Sequence, residues 1–253
     1  MRAKRIIKVL LLAAAGLTLG SIAFQAIMYV RVSRLRAQNP TSTSMMETRM
    51  QEALSGGRQA AQDQRWVPLD RISTNLQRAV IAGEDTNFTT HHGFDYQAIQ
   101  KAWEQGQREA EKEAKKEGDN DPGWLPDTSS FKRGGSTISQ QLAKNLYLSS
   151  QRSFLRKGQE AVLTIFLERE LSKRRILEIY LNVIEWGDGI YGAEAASQHY
   201  FHKPAAALTV NEAAFLSAMI PNPRTIFNPA VNPRRVARRQ RSILRGMPIV
   251  RIP

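Results

Sequence analysis

No cysteine occurs in the chain, which excludes disulfides, thiolate nucleophiles and Cys-ligated metal while leaving the redox compartment open. Acid is also scarce. Against 36 Lys and Arg stand 23 Asp and Glu, a net charge of +13 with a sequence pI near 10.3. Such a balance suits an anionic partner: nucleic acid, a lipid-headgroup surface or a phosphate-bearing substrate. Alternating apolar and polar runs are nearly missing, so a sheet-built unit is not expected. The fold class expected is all-α. The 253 residues suffice for a membrane anchor and one domain of ordinary size.

Only one long apolar run is present. Val9 to Val30, "VLLLAAAGLTLGSIAFQAIMYV", contains no charge. As a helix it spans roughly 33 Å, close to the hydrocarbon thickness of a bilayer. Arg2, Lys4, Arg5 and Lys8 precede it, and Arg31, Arg34 and Arg36 follow. That slight excess favours a cytoplasmic N-terminus with the remainder translocated. A cleaved signal peptide fits less well, because the run exceeds an ordinary h-region and no A-x-A site ends it. The organisation expected is a cytoplasmic N-terminus (1–8), a transmembrane helix (9–30), a polar juxtamembrane spacer (31–64) with a short helix over Met45–Leu54, and a domain over 65–253.

Helical signals dominate the domain. "STNLQRAVIAGED" places Leu76, Ala79, Val80 and Gly83 at helical spacing, with Thr74 and Gln77 as a capping box. "KGQEAVLTIFLEREL" and "SKRRILEIYLN" keep the 3.6 period through Val162, Phe166, Leu167, Ile176, Tyr180 and Leu181. Thr209 and Glu212 cap "VNEAAFLSAMI", which stops at "PNP". Segment 104–130 starts as a charged helix and ends in a loop rich in Pro, Gly and Asp, a solvated surface with no chemistry assigned. The basic run containing Arg234, Arg235, Arg238, Arg239, Arg241 and Arg245 could meet nucleic acid. An anchored domain facing outward rarely does, so lipid headgroups or substrate phosphates are the expected contacts, with no nucleic acid.

Three stretches carry candidate chemistry. In "RGGSTISQQLAKNL", Thr137 and Gln140 have capping-box spacing, so a helix begins just after Gly134-Gly135. Its unpaired N–H groups favour an anion, and the glycines admit close approach. Gln140 lies one turn from Lys144, and Gln141 one turn from Asn145, opposite a core stripe of Ile138, Leu142 and Leu146. In "AGEDTNFTTHHGFD", Glu84 and Asp85 stand where an apolar helix runs out. The negative helix end and the acidic neighbour both raise a carboxyl's proton affinity toward that of a general base. Simple helix termination at the surface is the equal alternative. In "RKGQE", Arg156 and Lys157 share a face with Glu160, which is either a surface salt bridge or a pyrophosphate site.

Other motif matches fail on context. "GDGIYG" fits G-x-G-x-x-G, yet helical pattern surrounds it and no βαβ unit follows. "SSFK" fits S-x-x-K, but "STN" precedes it and K-T-G is absent, which argues against a transpeptidase. His199 and His202 have neither a third ligand nor an H-E-x-x-H frame, so no metal site is expected.

In order along the chain, "WVPLDRISTNLQRAVIAGEDTNFTTHHGFD", "RGGSTISQQLAKNLYL", "RKGQE", "ILEIYLNVIEWGDGIYGAEAASQHYF" and "LTVNEAAFLSAMIPNP" resemble the peptidoglycan glycosyltransferases of family 51. The resemblance covers roughly Arg65 to Arg245 and departs in Gly83, where the family often has Ala, and in a longer 104–130 segment. It implies a lysozyme-like α-helical fold with a cleft at the membrane surface. The activity implied is polymerisation of lipid II into linear β-1,4 glycan strands, with inversion and release of undecaprenyl pyrophosphate. Glu84 would be the base and Glu160 the second acidic residue. Lys144, Arg156 and Lys157 would bind phosphates, and Ser136, Thr137, Gln140, Gln141 and Asn145 would hold sugars and phosphate. Asp85, Phe88 and His91 would shape the cleft. No cofactor is certain, with room for Mg or Mn at the pyrophosphate. The expected location is the bacterial inner membrane, single-pass, with the domain on the periplasmic face. Cell-wall elongation or division proteins are the protein partners to consider. A lysozyme-like hydrolase and a non-catalytic scaffold stay open as alternatives.

Overall fold

A computed structural model describes residues 2–59, 62–117, 136–148 and 153–253. Gly134-Gly135, the "SSFK" match and the Pro- and Gly-rich end of the 104–130 segment lie outside the described residues. The rest is mostly helical. The helices are α1 (Arg2–Arg34), α2 (Ser44–Ser55), α3 (Thr74–Glu84), α4 (Tyr96–Glu117), α5 (Ile138–Tyr147), α6 (Phe154–Glu170), α7 (Lys173–Val183), α8 (Ala193–Phe201), α9 (Val210–Met219) and α10 (Pro233–Gly246). Three short strands, β1 (Asp63–Gln64), β2 (Glu185–Gly187) and β3 (Ile190–Tyr191), make a small sheet in the order β1-β3-β2.

α7 lies at the centre. Ile176, Leu177, Ile179, Tyr180, Leu181 and Val183 are all buried, so its apolar stripe is nearly continuous around the axis. α5 packs on both α6 and α7, while α3 packs on α9 and α10. These two groups set the walls between which the candidate residues fall. Gly83 is dictated by that packing: a Cβ there would meet Ser217 Oγ at 2.8 Å and Ile243 Cδ1 at 3.1 Å. The departure from Ala therefore reflects a close approach of α9 and α10 rather than chemistry.

Helix starts follow the capping rules with one correction. Thr137/Gln140 and Thr209/Glu212 both form reciprocal capping boxes. At α3 the N-cap is Ser73, whose side chain accepts from Asn75 N–H. Gln77 instead donates to the Leu69 and Ile72 carbonyls, tying the preceding turn to the helix. α4 begins at Tyr96, eight residues ahead of the charged run. The G-x-G-x-x-G match is a hairpin turn: Gly189 takes φ +73° between β2 and β3, and Gly192 takes φ +83° at the start of α8. A Cβ at Gly192 would lie 2.7 Å from the Asn182 carbonyl, so its glycine is steric in origin.

The segment expected to be a spacer is folded. α1 is long and apolar enough to cross a membrane and continues unbroken to Arg34. Its last turns lie along α6 in parallel register: Gln25 donates to Gln159 (2.9 Å), Tyr29 to Glu170 (2.5 Å), and Arg36 pairs with Glu170 (2.9 Å). Met28, Val32, Leu35 and Met46 are buried in the common core, and β1 joins the sheet through β3. The anchor and domain therefore meet along a packed interface. Residues 31–64 look polar because only one face of each short piece is covered.

Candidate active site

α3 ends at Glu84, and Asp85 is its C-cap, with N–H to the Ile81 carbonyl at 2.9 Å. Both Asp85 oxygens are engaged. Oδ1 meets His91 Nε2 at 2.8 Å, and Oδ2 accepts the Ile138 N–H at 2.9 Å. Asp85 thus occupies the positive N-terminal end of α5 and joins it to the end of α3. Thr137 completes the junction by donating to the Gly93 carbonyl at 2.7 Å.

This junction brings Glu84 against α5. Gln141 Nε2 donates to Glu84 Oε2 (2.9 Å), and Tyr180 on α7 donates its hydroxyl to Gln141 Oε1 (2.7 Å). The phenol fixes the amide so that its NH2 faces the carboxylate. From α10, Arg239 Nη2 donates to Glu84 Oε1 (2.6 Å) and to the Gly83 carbonyl (2.9 Å). The Glu84 side chain is 7% exposed. Burial pushes its carboxyl above the ordinary value, opposed by the Arg239 charge, the Gln141 and Arg239 hydrogen bonds and the Lys144 charge. The expected direction holds, but its first cause is desolvation; Asp85 is spent on the helix junction.

Glu160 is held differently. Arg156 Nη1 lies 2.8 Å from Oε2, and Lys157 Nζ contacts Oε1, both from the preceding turn of α6. The surface reading of this triad is corrected for Glu160, which is 4% exposed, while Arg156 is 18% and Lys157 51%. Lys144 feels both acidic positions. Burial lowers its proton affinity first; Glu160 and Glu84 raise it, and Arg156 and Lys157 lower it. Lys144 has no ion pair of its own among the described residues. Three cations therefore surround one carboxylate, an excess suited to an anion.

The other sequence candidates divide into two groups. Ser136 is exposed and Asn145 half-buried, and neither side chain hydrogen-bonds among the described residues, so both can face a ligand. Thr137 and Gln140 are buried and consumed by the capping box. Phe88 is fully buried beneath Lys173, whose Nζ sits 4.6 Å from the ring centroid, so it supports the site from below. His91 is committed to Asp85 and to the Gly93 N–H. Arg239 and Tyr180 were not singled out by sequence as site residues. Arg239 lies in the basic run and Tyr180 on an apolar stripe, and only the tertiary packing turns them to Glu84 and Gln141. A weak signal existed for Arg239: it falls off the stripe made by Arg234, Arg238, Arg241 and Arg245.

The transglycosylase family model matches residues 49–118 and 124–248, so the family unit starts within α2, ahead of the boundary expected at 65. A biosynthetic peptidoglycan transglycosylase of Thiobacillus denitrificans is 52% identical over 186 residues, 74% of this chain and 72% of the relative. The protein of that name in Bordetella pertussis is 44% identical over 233 residues, 92% of this chain and 90% of the relative. That in Nitrosomonas eutropha is 41% identical over 233 residues, 92% and 87% of the two chains. A family model matched over most of the chain, together with relatives 41–52% identical, shows that the chain belongs to the transglycosylase family and is a glycosyl-transferring enzyme.

Proposed function

We propose that the enzyme polymerises lipid II into linear β-1,4 glycan strands at the outer face of the bacterial inner membrane, without transpeptidation. The observation that carries this reading is the division of charge across one turn of α5. Gln141 addresses the buried Glu84, and Lys144, one turn on, addresses the Arg156–Lys157–Glu160 group.

In this mechanism Glu84 takes the proton of the acceptor's 4-hydroxyl. The oxygen attacks the donor's anomeric carbon from the face opposite the leaving group. The bond from that carbon to the pyrophosphate oxygen breaks, its electron pair departs on undecaprenyl pyrophosphate, and the configuration inverts. Lys144, Arg156 and Lys157 stabilise the growing negative charge. Ser136 and Asn145 offer neutral hydrogen bonds to sugar or phosphate, and Asp85, Thr137, Gln140, Phe88 and His91 hold the frame. Both Glu160 oxygens are taken by cations, which does not fit a divalent Mg or Mn ion bound there.

Support for the membrane placement comes from α1. An apolar helix packed along α6 holds the cations of α6 beside the bilayer, where a polyprenyl pyrophosphate resides. The cationic flank before Val9 favours translocation of the domain. Partners in cell-wall elongation or division would then meet the domain on that side.

The test is the full chain in detergent or liposomes with lipid II, scored for polymer on a gel. A ladder of glycan strands is expected. Reducing ends released from purified cell wall, without polymer from lipid II, would make it a hydrolase. Neither product would leave a scaffold.

A further inference from the structure

α10 carries six arginines and no acid. Arg234, Arg238, Arg241 and Arg245 recur at i, i+4, i+7 and i+11, so they form one exposed stripe, with Arg235 beside it. None of these five has an ion pair among the described residues. Arg239 alone turns inward, and it meets the one carboxylate assigned to chemistry. A basic helix that spends a single arginine on the candidate base calls for a reason beyond surface charge.

The hydrogen bonding of Arg239 is incomplete. Nη2 carries the bonds to both Glu84 Oε1 and the Gly83 carbonyl, while the buried Nε finds no partner among the described residues. The guanidinium lies over the Phe227 ring, 5.4 Å from the centroid, which supports one face of it without using a donor. A planar fork with a spare buried donor is preorganised for a second, better acceptor, and phosphate oxygens match that fork bidentately. Arg156 Nε is buried and unpartnered in the same way, on a guanidinium whose charge acts on Lys144.

The contact has a chemical consequence. A guanidinium held against a carboxylate stabilises its charged form and weakens it as a base. The remaining groups facing Glu84 are Gln141 and Lys144 from α5 and Tyr180 from α7, with Asp85 adjacent in the chain and Glu160 beyond Lys144. Arg239 is the cation in direct contact with Glu84 among the described residues.

We propose that Arg239 is a substrate-responsive latch: it holds Glu84 Oε1 in the empty site, and the phosphate of an incoming anionic substrate draws it off, freeing that oxygen to accept a proton. The inference rests on Glu84 being the base and adds a regulatory step to it. The base is then armed only when phosphate is present, which couples proton transfer to occupancy. Arg239 is a positioning residue acting through Glu84.

The test reads Glu84 directly. The full chain in detergent micelles, labelled with 13C at the Glu carboxyls, is titrated with and without inorganic pyrophosphate. The Glu84 signal is assigned by its loss in Glu84→Gln. In the wild type, pyrophosphate should move the Glu84 midpoint to higher pH. In Arg239→Gln the midpoint should start higher and move less. Arg239→Lys, which keeps the charge but loses the fork, should start near wild type and also move less. A wild-type midpoint that pyrophosphate leaves unmoved would overturn the latch. So would equal movement in wild type and Arg239→Gln, because the ligand's own field would then suffice. If Arg239→Gln fails to fold by thermal melting, Arg239→Lys decides, and a rise equal to wild type overturns the proposal. Since polymerisation is not the readout, a chain that shows the latch yet makes no glycan would refute the proposed function and leave the latch standing.

Discussion

Glu84 and Glu160 are about equally hidden, with side chains 7% and 4% exposed, yet their charges are managed in opposite ways. Glu160 is compensated within its own helix by Arg156 and Lys157, four and three residues away. Glu84 receives Gln141 from 57 residues along the chain and Arg239 from 155, and burial still pushes its carboxyl upward. A carboxylate matched by two local cations suits a fixed charge that orients them. One held by a single distant guanidinium and an amide suits a group that must gain and lose a proton. The contrast supports the proposed roles, with Glu84 as the base and Glu160 in the phosphate frame.

The largest expected effect breaks the comparison on rate. Glu84→Gln keeps the size of the side chain and one of its two acceptor oxygens but removes basicity, and turnover should fall by roughly a hundredfold to ten-thousandfold, with lipid II affinity little changed. Steady-state kinetics and a lipid II binding assay check both halves. Lys157→Ala should differ by weakening binding as well as slowing turnover, because in the proposed mechanism its ammonium meets both the bound and the departing pyrophosphate.

Stability should separate the two acids by sign. The Glu84 carboxyl binds its proton more tightly in the folded chain than in the unfolded one. Its contribution is complete below the ordinary carboxylate range and is lost as pH rises through the raised folded value. Glu84→Gln should therefore melt higher than wild type at neutral pH, and the gain should vanish in acid. Glu160→Gln should melt lower at neutral pH, since two cations lose their counter-charge. A cost of about 1–2 kcal/mol is expected, discounted because Lys157 is half exposed. Scanning calorimetry across pH reads both, and shifts of like sign would dissolve the contrast.

The smallest effect sharpens the Glu84 side alone. Tyr180→Phe removes the hydroxyl that fixes the Gln141 amide, a hydrogen bond worth about 0.5–1.5 kcal/mol. Turnover should fall by about tenfold or less, with the fold retained. A loss as large as that of Glu84→Gln would give Tyr180 a direct chemical part.

The same contrast explains what the sequence made legible. The Arg156–Lys157–Glu160 group was readable because i,i+3 and i,i+4 spacing on one helix brings side chains together wherever the helix goes. The two capping boxes and the buried Ile138, Leu142 and Leu146 stripe were readable for the same local reason. The Thr74/Gln77 box failed because Ser73 competes for the cap one residue earlier and Gln77 is drawn to tertiary carbonyls. The sequence places Arg239 in a basic run expected to face lipid headgroups or substrate phosphates, and only the α3–α10 crossing turns it inward to Glu84. The fold of residues 31–64 was hidden likewise: isolated buried positions such as Val32, Leu35 and Met46 make no recognisable period in so short a stretch.

The assignment of Glu84 as the base is tested most directly by the pH dependence of kcat/KM on lipid II, measured for wild type, Glu84→Gln and Glu160→Gln. The acid limb reports the free enzyme's base. Because burial raises the Glu84 carboxyl, that limb should lie above the ordinary carboxylate range in the wild type and persist in Glu160→Gln. It should disappear in Glu84→Gln, leaving a low rate that is flat toward acid. An acid limb that survives unchanged in Glu84→Gln, or one lost in Glu160→Gln, would contradict the assignment of the base to Glu84.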